Sequence, residues 1–108
     1  MIRLIFIHGG PACRDYLKPV FENAFPSDFR LTFYDQLQGP TVGLGDLTAQ
    51  LGKLIEGERS PVFLLGHSWG GRLAMEFLEH HERAITRLIL ADASLISNVS
   101  STEFQAEM

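Results

Sequence analysis

The sequence predicts an α/β fold, a three-layer doubly wound arrangement whose mostly parallel sheet has about four strands. Four short apolar runs rich in Leu, Ile, Val and Phe recur along the chain, and helical patterns lie between them. The runs are continuous rather than alternating, which is typical of strands covered on both faces of a parallel sheet. The order β-α-β-α-β-α-β is the pattern expected of a doubly wound domain.

The individual elements follow from these patterns in order along the chain. We expect strands over residues 3–7, 30–34, 62–65 and 86–90. A first helix is predicted from the apolar positions Tyr16, Val20, Phe21 and Ala24, and Pro19 either limits this helix or lies in its first turn. A second helix, with Asp46 as its N-cap, is predicted from Leu47, Leu51, Leu54 and Ile55. The third is predicted from Leu73, Ala74, Phe77, Leu78 and His81.

The length and composition indicate one ordinary globular domain. The chain has 108 residues, of which 45% are hydrophobic and 20% charged. We expect the packed core to span residues 1–96. Residues 97–108 are expected to form a tail that is a loop or a marginal helix.

Charge, cysteine content and the N-terminal segment limit the partners and the compartment that we expect for this chain. The net charge of −4 and the lack of a basic run argue against nucleic acid. Cys13 is the only cysteine, so an internal disulfide is impossible and a reducing compartment is the simplest interpretation. The apolar segment 1–7 is too short for a signal peptide or a membrane span. We therefore expect a cytoplasmic protein that binds no membrane, with neither a cofactor nor a metal.

The segment 66–71, Gly-His-Ser-Trp-Gly-Gly, is the most informative part of the sequence. It follows an apolar run and precedes a helical pattern, so a buried strand turns sharply into a helix at Ser68. The spacing Gly66-x-Ser68-x-Gly70 is that of a nucleophile elbow, in which the serine hydroxyl is exposed on a strained turn. Glycine flanks the serine because the strand and the helix approach too closely there for a Cβ atom.

A second glycine-rich loop, His8-Gly9-Gly10-Pro11, follows the first predicted strand. Together with this loop, three further segments carry a resemblance to a known family: residues 34–36, 65–71 and 87–90. Over about residues 1–96 the chain resembles the N-terminal core portion of the α/β-hydrolase fold family, most closely its prolyl-iminopeptidase-like branch.

The resemblance implies a serine hydrolase that cleaves an ester or a small peptide-like or aminoacyl amide. Ser68 would be the nucleophile, and the backbone N–H groups of Gly10 and Trp69 would form the oxyanion hole. The Trp69 side chain either lines the site or belongs to the core. The resemblance assigns structural support of the site to His8, Gly9, Gly66 and Gly70. Asp35 would hold loops together, and His67 is expected to be structural.

The sequence after Ser68 contains no histidine that is placed to act as the catalytic base. In this fold the acid and then the histidine follow the serine along the chain. Asp92, which follows the carboxyl end of the fourth predicted strand, is either the acid or a loop-capping residue. His80 and His81 lie about 18–20 Å along the predicted third helix from Ser68, too far for a hydrogen bond.

Three interpretations of the chain's function remain open. The first is a serine hydrolase truncated before its catalytic histidine and nearly inactive alone. The second is a non-catalytic fragment or interaction module that keeps the fold; its exposed sheet edges would pair with a second copy or a complementing chain. A nucleotide-binding domain is a distant third, because the loop at His8 matches neither a dinucleotide fingerprint nor a P-loop.

Overall fold

The computed structural model describes residues 1–10 and 14–91, apart from the side chain of Glu82. Its four strands are β1 (Ile2–Ile7), β2 (Phe29–Phe33), β3 (Val62–His67) and β4 (Arg87–Ala91). They form one parallel sheet in the order β2-β1-β3-β4. The predicted fold class is therefore confirmed, and each strand lies within two residues of its predicted bounds.

Three helices connect the strands: α1 (Lys18–Phe21), α2 (Leu44–Ile55) and α3 (Trp69–His81). A short 3₁₀ helix, Glu82–Ala84, links α3 to β4. The predicted apolar stripe of the first helix is wrong, because α1 is a single turn with Pro19 in its first turn. Tyr16 lies before the helix, and Val20 is 65% exposed.

Helix α2 begins earlier than the sequence indicated. Its N-cap is Gly43, not Asp46, and Asp46 occupies the third helical position. The Asp46 carboxylate accepts the Gly43 N–H at 2.8 Å, which is the reciprocal half of a capping box. A carboxylate in the first turn also complements the positive end of the helix dipole.

The sheet carries a hydrophobic core on each face. Ile5, Ile7 and Leu64 face α2 and α3, where they meet residues such as Leu51 and Phe77. The opposite face is built from Leu4, Phe6, Leu17 and Leu65, surrounded by partly buried aromatic side chains: Phe21, Phe25, Phe29, Phe33 and Phe63. Successive residues of β1 thus point to opposite faces of the sheet. The side chains of residues 4–7 are fully buried on either face. This is the physical reason for the continuous apolar runs.

The strand register brings the candidate site residues to one edge of the sheet. Ile7 pairs with Gly66, and His67 pairs with Ala91, so β1, β3 and β4 end at the same level. The loops after β1 and β3 therefore meet at the carboxyl edge, where open α/β sheets bind ligands.

A group of ion pairs lies at the opposite edge of the sheet, where the strands begin. Glu58 accepts hydrogen bonds from Arg3, at 3.2 Å, and from Arg30, and its second carboxylate oxygen accepts the Ser60 N–H at 3.2 Å. The Arg3 guanidinium also donates to the Leu54 carbonyl at the end of α2. These bonds connect β1 and β2 to the loop that leads into β3.

Two predictions fall outside the described residues, namely Asp92 and the tail over 97–108. Among the helices that the structure describes, none combines the length and the apolar character needed to cross a bilayer.

Candidate active site

Ser68 occupies a turn of one residue between β3 and α3. Its φ angle is 55°, the only positive φ of a non-glycine residue in the described part of the chain. Left-handed backbone is rare and strained for a residue with a side chain, and such strain clusters at functional sites. The turn presents a half-buried serine at the carboxyl edge of the sheet.

Two glycines make this turn sterically possible. A Cβ atom on Gly66 would lie 2.7 Å from the Gly70 carbonyl oxygen and from the Gly71 Cα atom. A Cβ atom on Gly70 would lie only 2.1 Å from the carbonyl oxygen of Ile7. Helix α3 therefore crosses β3 and the end of β1 at a distance that only glycine allows.

Two hydrogen bonds fix the backbone around Ser68 at the start of α3. The Ser68 N–H donates to the Ala91 carbonyl at 3.1 Å, and the Gly71 N–H donates to the Ser68 carbonyl at 3.0 Å. Trp69 is the first residue of α3, and an N–H at that position has no acceptor within the helix. This N–H and the helix dipole favour negative charge beside the serine.

The loop after β1 faces the serine turn. Gly10 has φ 69°, a left-handed conformation that suits glycine. His8 is fully buried, and its Nδ1 lies 2.8 Å from the Gly9 carbonyl oxygen. The Gln36 N–H donates to His8 Nε2 at 3.2 Å, so we assign His8 as a neutral imidazole whose proton is on Nδ1.

The bond from His8 also orients the next peptide group. The Gly9 carbonyl and the Gly10 N–H belong to one planar peptide unit, so holding the carbonyl fixes the direction of that N–H. Gln36 adds a second link, because its side-chain amide donates to the His8 carbonyl at 2.7 Å. Asp35 accepts the Asp15 N–H at 2.7 Å and so connects the segments before α1 and after β2.

A contact between Tyr16 and His67 was not found from the sequence. The Gly9 N–H donates to the Tyr16 hydroxyl at 2.8 Å, and that hydroxyl lies 2.5 Å from His67 Nδ1. The sequence interpretation placed Tyr16 in a helix stripe, although it precedes α1 and is 37% exposed. Only the pairing of β1 with β3 brings together two residues that are 51 positions apart.

The remaining predicted residues lie in different places. The Trp69 side chain is half-buried and packs against the core cluster beneath α2 and α3. His80 and His81 are in the last turn of α3, away from Ser68, and the His81 ring stacks on Phe77 at 4.4 Å. Asp92 follows the last described residue of β4.

Other polar or open features lie away from this edge. Glu76, Glu79 and His80 bring possible metal-ligand atoms within 4.8 Å of one another, on a half-buried to exposed part of α3. A cleft of about 860 Å³ lies at the amino edge of the sheet, between α2 and the last turns of α3, with Lys53 and Phe77 in its lining. It does not include Ser68, so it is not where the chemistry of that serine would take place.

Comparisons with known proteins identify a family for this chain and find solved structures that share its fold. A family model described as "Alpha/beta hydrolase family" matches residues 4–106. The proline iminopeptidase of Elizabethkingia meningoseptica is 32% identical, over 84% of this chain and 35% of that protein. The chain thus spans about a third of the length of the curated relatives it matches.

Solved structures agree at the level of the fold. An esterase from Exiguobacterium antarcticum matches with a TM-score of 0.73 and 25% identity, over 87% of this chain and 38% of that one. Polyneuridine aldehyde esterase matches with a TM-score of 0.66 and 23% identity, over 86% and 40% respectively. The chain belongs to the alpha/beta hydrolase family.

Proposed function

We propose that this chain carries the nucleophilic half of a serine hydrolase site that acts on an ester or a small peptide-like or aminoacyl amide. The observation that carries the proposal is the φ angle of 55° at Ser68, on a strand-to-helix turn that faces the loop of Gly9 and Gly10. The relatives described as proline iminopeptidases and an esterase support both substrate classes.

The proposed reaction begins with attack of the Ser68 hydroxyl oxygen on the substrate carbonyl carbon. The negative charge that develops on the carbonyl oxygen is stabilised by the N–H groups of Trp69 and Gly10. The serine proton passes to a base and from there to the leaving alcohol or amine, which leaves an acyl group on Ser68. Water then releases the acid and restores the serine.

The base for this reaction is not among the four histidines of the chain. His8 is buried with both ring nitrogens in contact with backbone groups, and His67 Nδ1 contacts Tyr16. His80 and His81 lie at the far end of α3, about 18–20 Å from the serine at the rise of a helix. None of these placements points to a role as the base, and we propose that a histidine base for the complete reaction comes from outside these 108 residues.

The test of this proposal is chemical rescue by imidazole. We expect the purified chain to hydrolyse a p-nitrophenyl ester or a proline p-nitroanilide barely above background, because an unassisted serine is a weak nucleophile. Imidazole should raise the rate in the wild type more than in Ser68→Ala, which is the matched control for the uncatalysed reaction. Equal imidazole effects in both proteins would refute the proposal, and so would rapid turnover without imidazole.

A non-catalytic interaction module is the second candidate, favoured by the sheet edges. In the described sheet β2 and β4 each pair with a neighbour on one side only. Unpaired strand edges are templates for pairing with another chain, either a second copy or a complementing polypeptide. Native mass spectrometry tests this candidate: a concentration-dependent dimer supports it, and a monomer at all concentrations counts against self-pairing.

A further inference from the structure

We infer that Tyr16 is a positioning residue for the proposed hydrolysis, with a hydroxyl that links the loop of Gly9 and Gly10 to the end of β3, next to Ser68. The inference rests on the proposed function, since it assigns Tyr16 a role in the reactivity of Ser68. The link itself is visible without any reaction, because one hydroxyl contacts Gly9 of the loop and His67, the last residue of β3 before the turn.

The position of Tyr16 beside the serine follows from the surroundings of Gly9. A Cβ atom built on Gly9 would lie 2.7 Å from the Tyr16 hydroxyl oxygen and 3.0 Å from Ser68 Cβ. The same atom would lie 3.0 Å from the His67 carbonyl oxygen. The Tyr16 hydroxyl, the His67 carbonyl and the Ser68 side chain therefore converge on one side of Gly9.

The Tyr16 hydroxyl can both accept and donate hydrogen bonds. The Gly9 N–H is a donor only, so the Tyr16 oxygen accepts from it. We assign the tyrosine proton to the bond with His67 Nδ1, which makes His67 a neutral imidazole protonated on Nε2. In this arrangement the hydroxyl uses its donor and one acceptor site, and His67 Nδ1 is satisfied.

The consequence concerns the oxyanion donor at Gly10. The Gly9 N–H is held by Tyr16, and the Gly9 carbonyl is held by His8 Nδ1 at 2.8 Å. Both peptide groups that flank Gly9 are thereby oriented, and the second of them carries the Gly10 N–H. Catalytic donors must be held within about 0.5 Å of the productive geometry, so the loss of one anchor weakens stabilisation of the oxyanion.

The experiment measures phosphonylation of Ser68 by a fluorophosphonate probe in the presence of imidazole. Tyr16→Phe removes the hydroxyl and retains the ring, and we expect the rate constant for labelling to fall about ten-fold, the effect of losing one hydrogen bond of ordinary strength. His67→Leu should cause a similar loss. The double variant should be no slower than either single variant, because all three break the same link.

Two further variants separate positioning from general disturbance. His67→Asn presents an amide oxygen close to the place of Nδ1, and it should restore most of the rate lost in His67→Leu. Tyr34→Phe removes the only other tyrosine hydroxyl, which has no hydrogen-bond partner in the described structure, and it should leave the labelling rate unchanged. Thermal unfolding of each variant checks that the fold is retained.

Amide hydrogen exchange at Gly9, followed by NMR, measures the link without any chemistry at Ser68. We expect exchange to accelerate in Tyr16→Phe and in His67→Leu, and to stay slow in Tyr34→Phe. Unchanged exchange and unchanged labelling in Tyr16→Phe would overturn the role of Tyr16 while the proposed function stands. If the wild type is not labelled at Ser68 even with imidazole, the proposed function fails, and Gly9 exchange alone decides whether the link exists.

Discussion

Gly70 lies so close to Ile7 that a Cβ atom on the glycine would come within 2.1 Å of the Ile7 carbonyl oxygen. Real Cβ atoms do not approach backbone oxygens at that distance. The first turn of α3 and the end of β1 are therefore in direct backbone contact. This contact fixes the position of the serine turn relative to the ends of β1 and β3.

The first prediction concerns this contact. Gly70→Ala should destabilise the chain by about 3 kcal/mol, because the methyl group forces apart two elements that cannot easily move. Gly45→Ala is the matched control within α2, where a Cβ atom meets nothing within 4 Å. It should stabilise the chain by about 0.5 kcal/mol through the lower backbone entropy of the unfolded state. Urea unfolding midpoints measure both, and similar effects at the two sites would contradict the account.

The second prediction concerns Tyr34, whose hydroxyl is buried without a hydrogen-bond partner in the described structure. Burial raises the pKa of this hydroxyl above its ordinary value, as expected when the ionised form is desolvated. Tyr34→Phe should stabilise the chain by about 1 kcal/mol, because it removes a buried polar group that makes no bond. Chemical denaturation measures the change, and destabilisation in this variant would indicate a partner that the described structure lacks.

The third prediction concerns Glu58 and pH. The Ser60 N–H, together with Arg30 and Arg3, lowers the pKa of this carboxyl below its ordinary value of 4.5. Its contribution to stability is therefore complete above pH 4.5 and is lost as the pH falls through the lower folded pKa. In Glu58→Gln this part of the acid destabilisation should disappear. Unfolding free energies of both proteins between pH 3 and 7 measure it, and parallel curves would refute the role of Glu58.

The fourth prediction concerns the start of α2. Asp46→Ala removes the acceptor of the Gly43 N–H and should cost about 0.5–1 kcal/mol of stability. Glu56→Ala is the control at the other end of the helix, where a carboxylate opposes the dipole and its removal should be neutral or slightly favourable. An equal loss of unfolding free energy in both variants would show that the capping bond does not account for the effect of Asp46→Ala.

The fold was predictable because its determinants are local in the sequence. Continuous apolar runs such as residues 62–65 indicate strands that are buried on both faces, and the glycine spacing around Ser68 indicates the strand-to-helix turn. The start of α2 was missed because Gly43 caps the helix through its backbone, and a capping carboxylate at the third helical position resembles an N-cap residue in sequence.

The support of the candidate site was harder to predict. The contact of Tyr16 with His67 and that of His8 with Gln36 join residues that are 51 and 28 positions apart. Such contacts depend on the strand register and on how far each loop reaches beyond the sheet edge. Periodicity carries no information about either, and it therefore predicts a helix face for Tyr16.

The proposed role of Ser68 is that of a nucleophile, prepared by its turn and by the proposed oxyanion donors at Gly10 and Trp69. The most direct measurement is the site of phosphonylation, mapped by peptide mass spectrometry after treatment with a fluorophosphonate in imidazole buffer. Ser27 and Ser60 lie in the same chain and serve as internal references. We predict that Ser68 carries the adduct far in excess of both references; equal labelling of the three serines, or no adduct on Ser68, would contradict the claim.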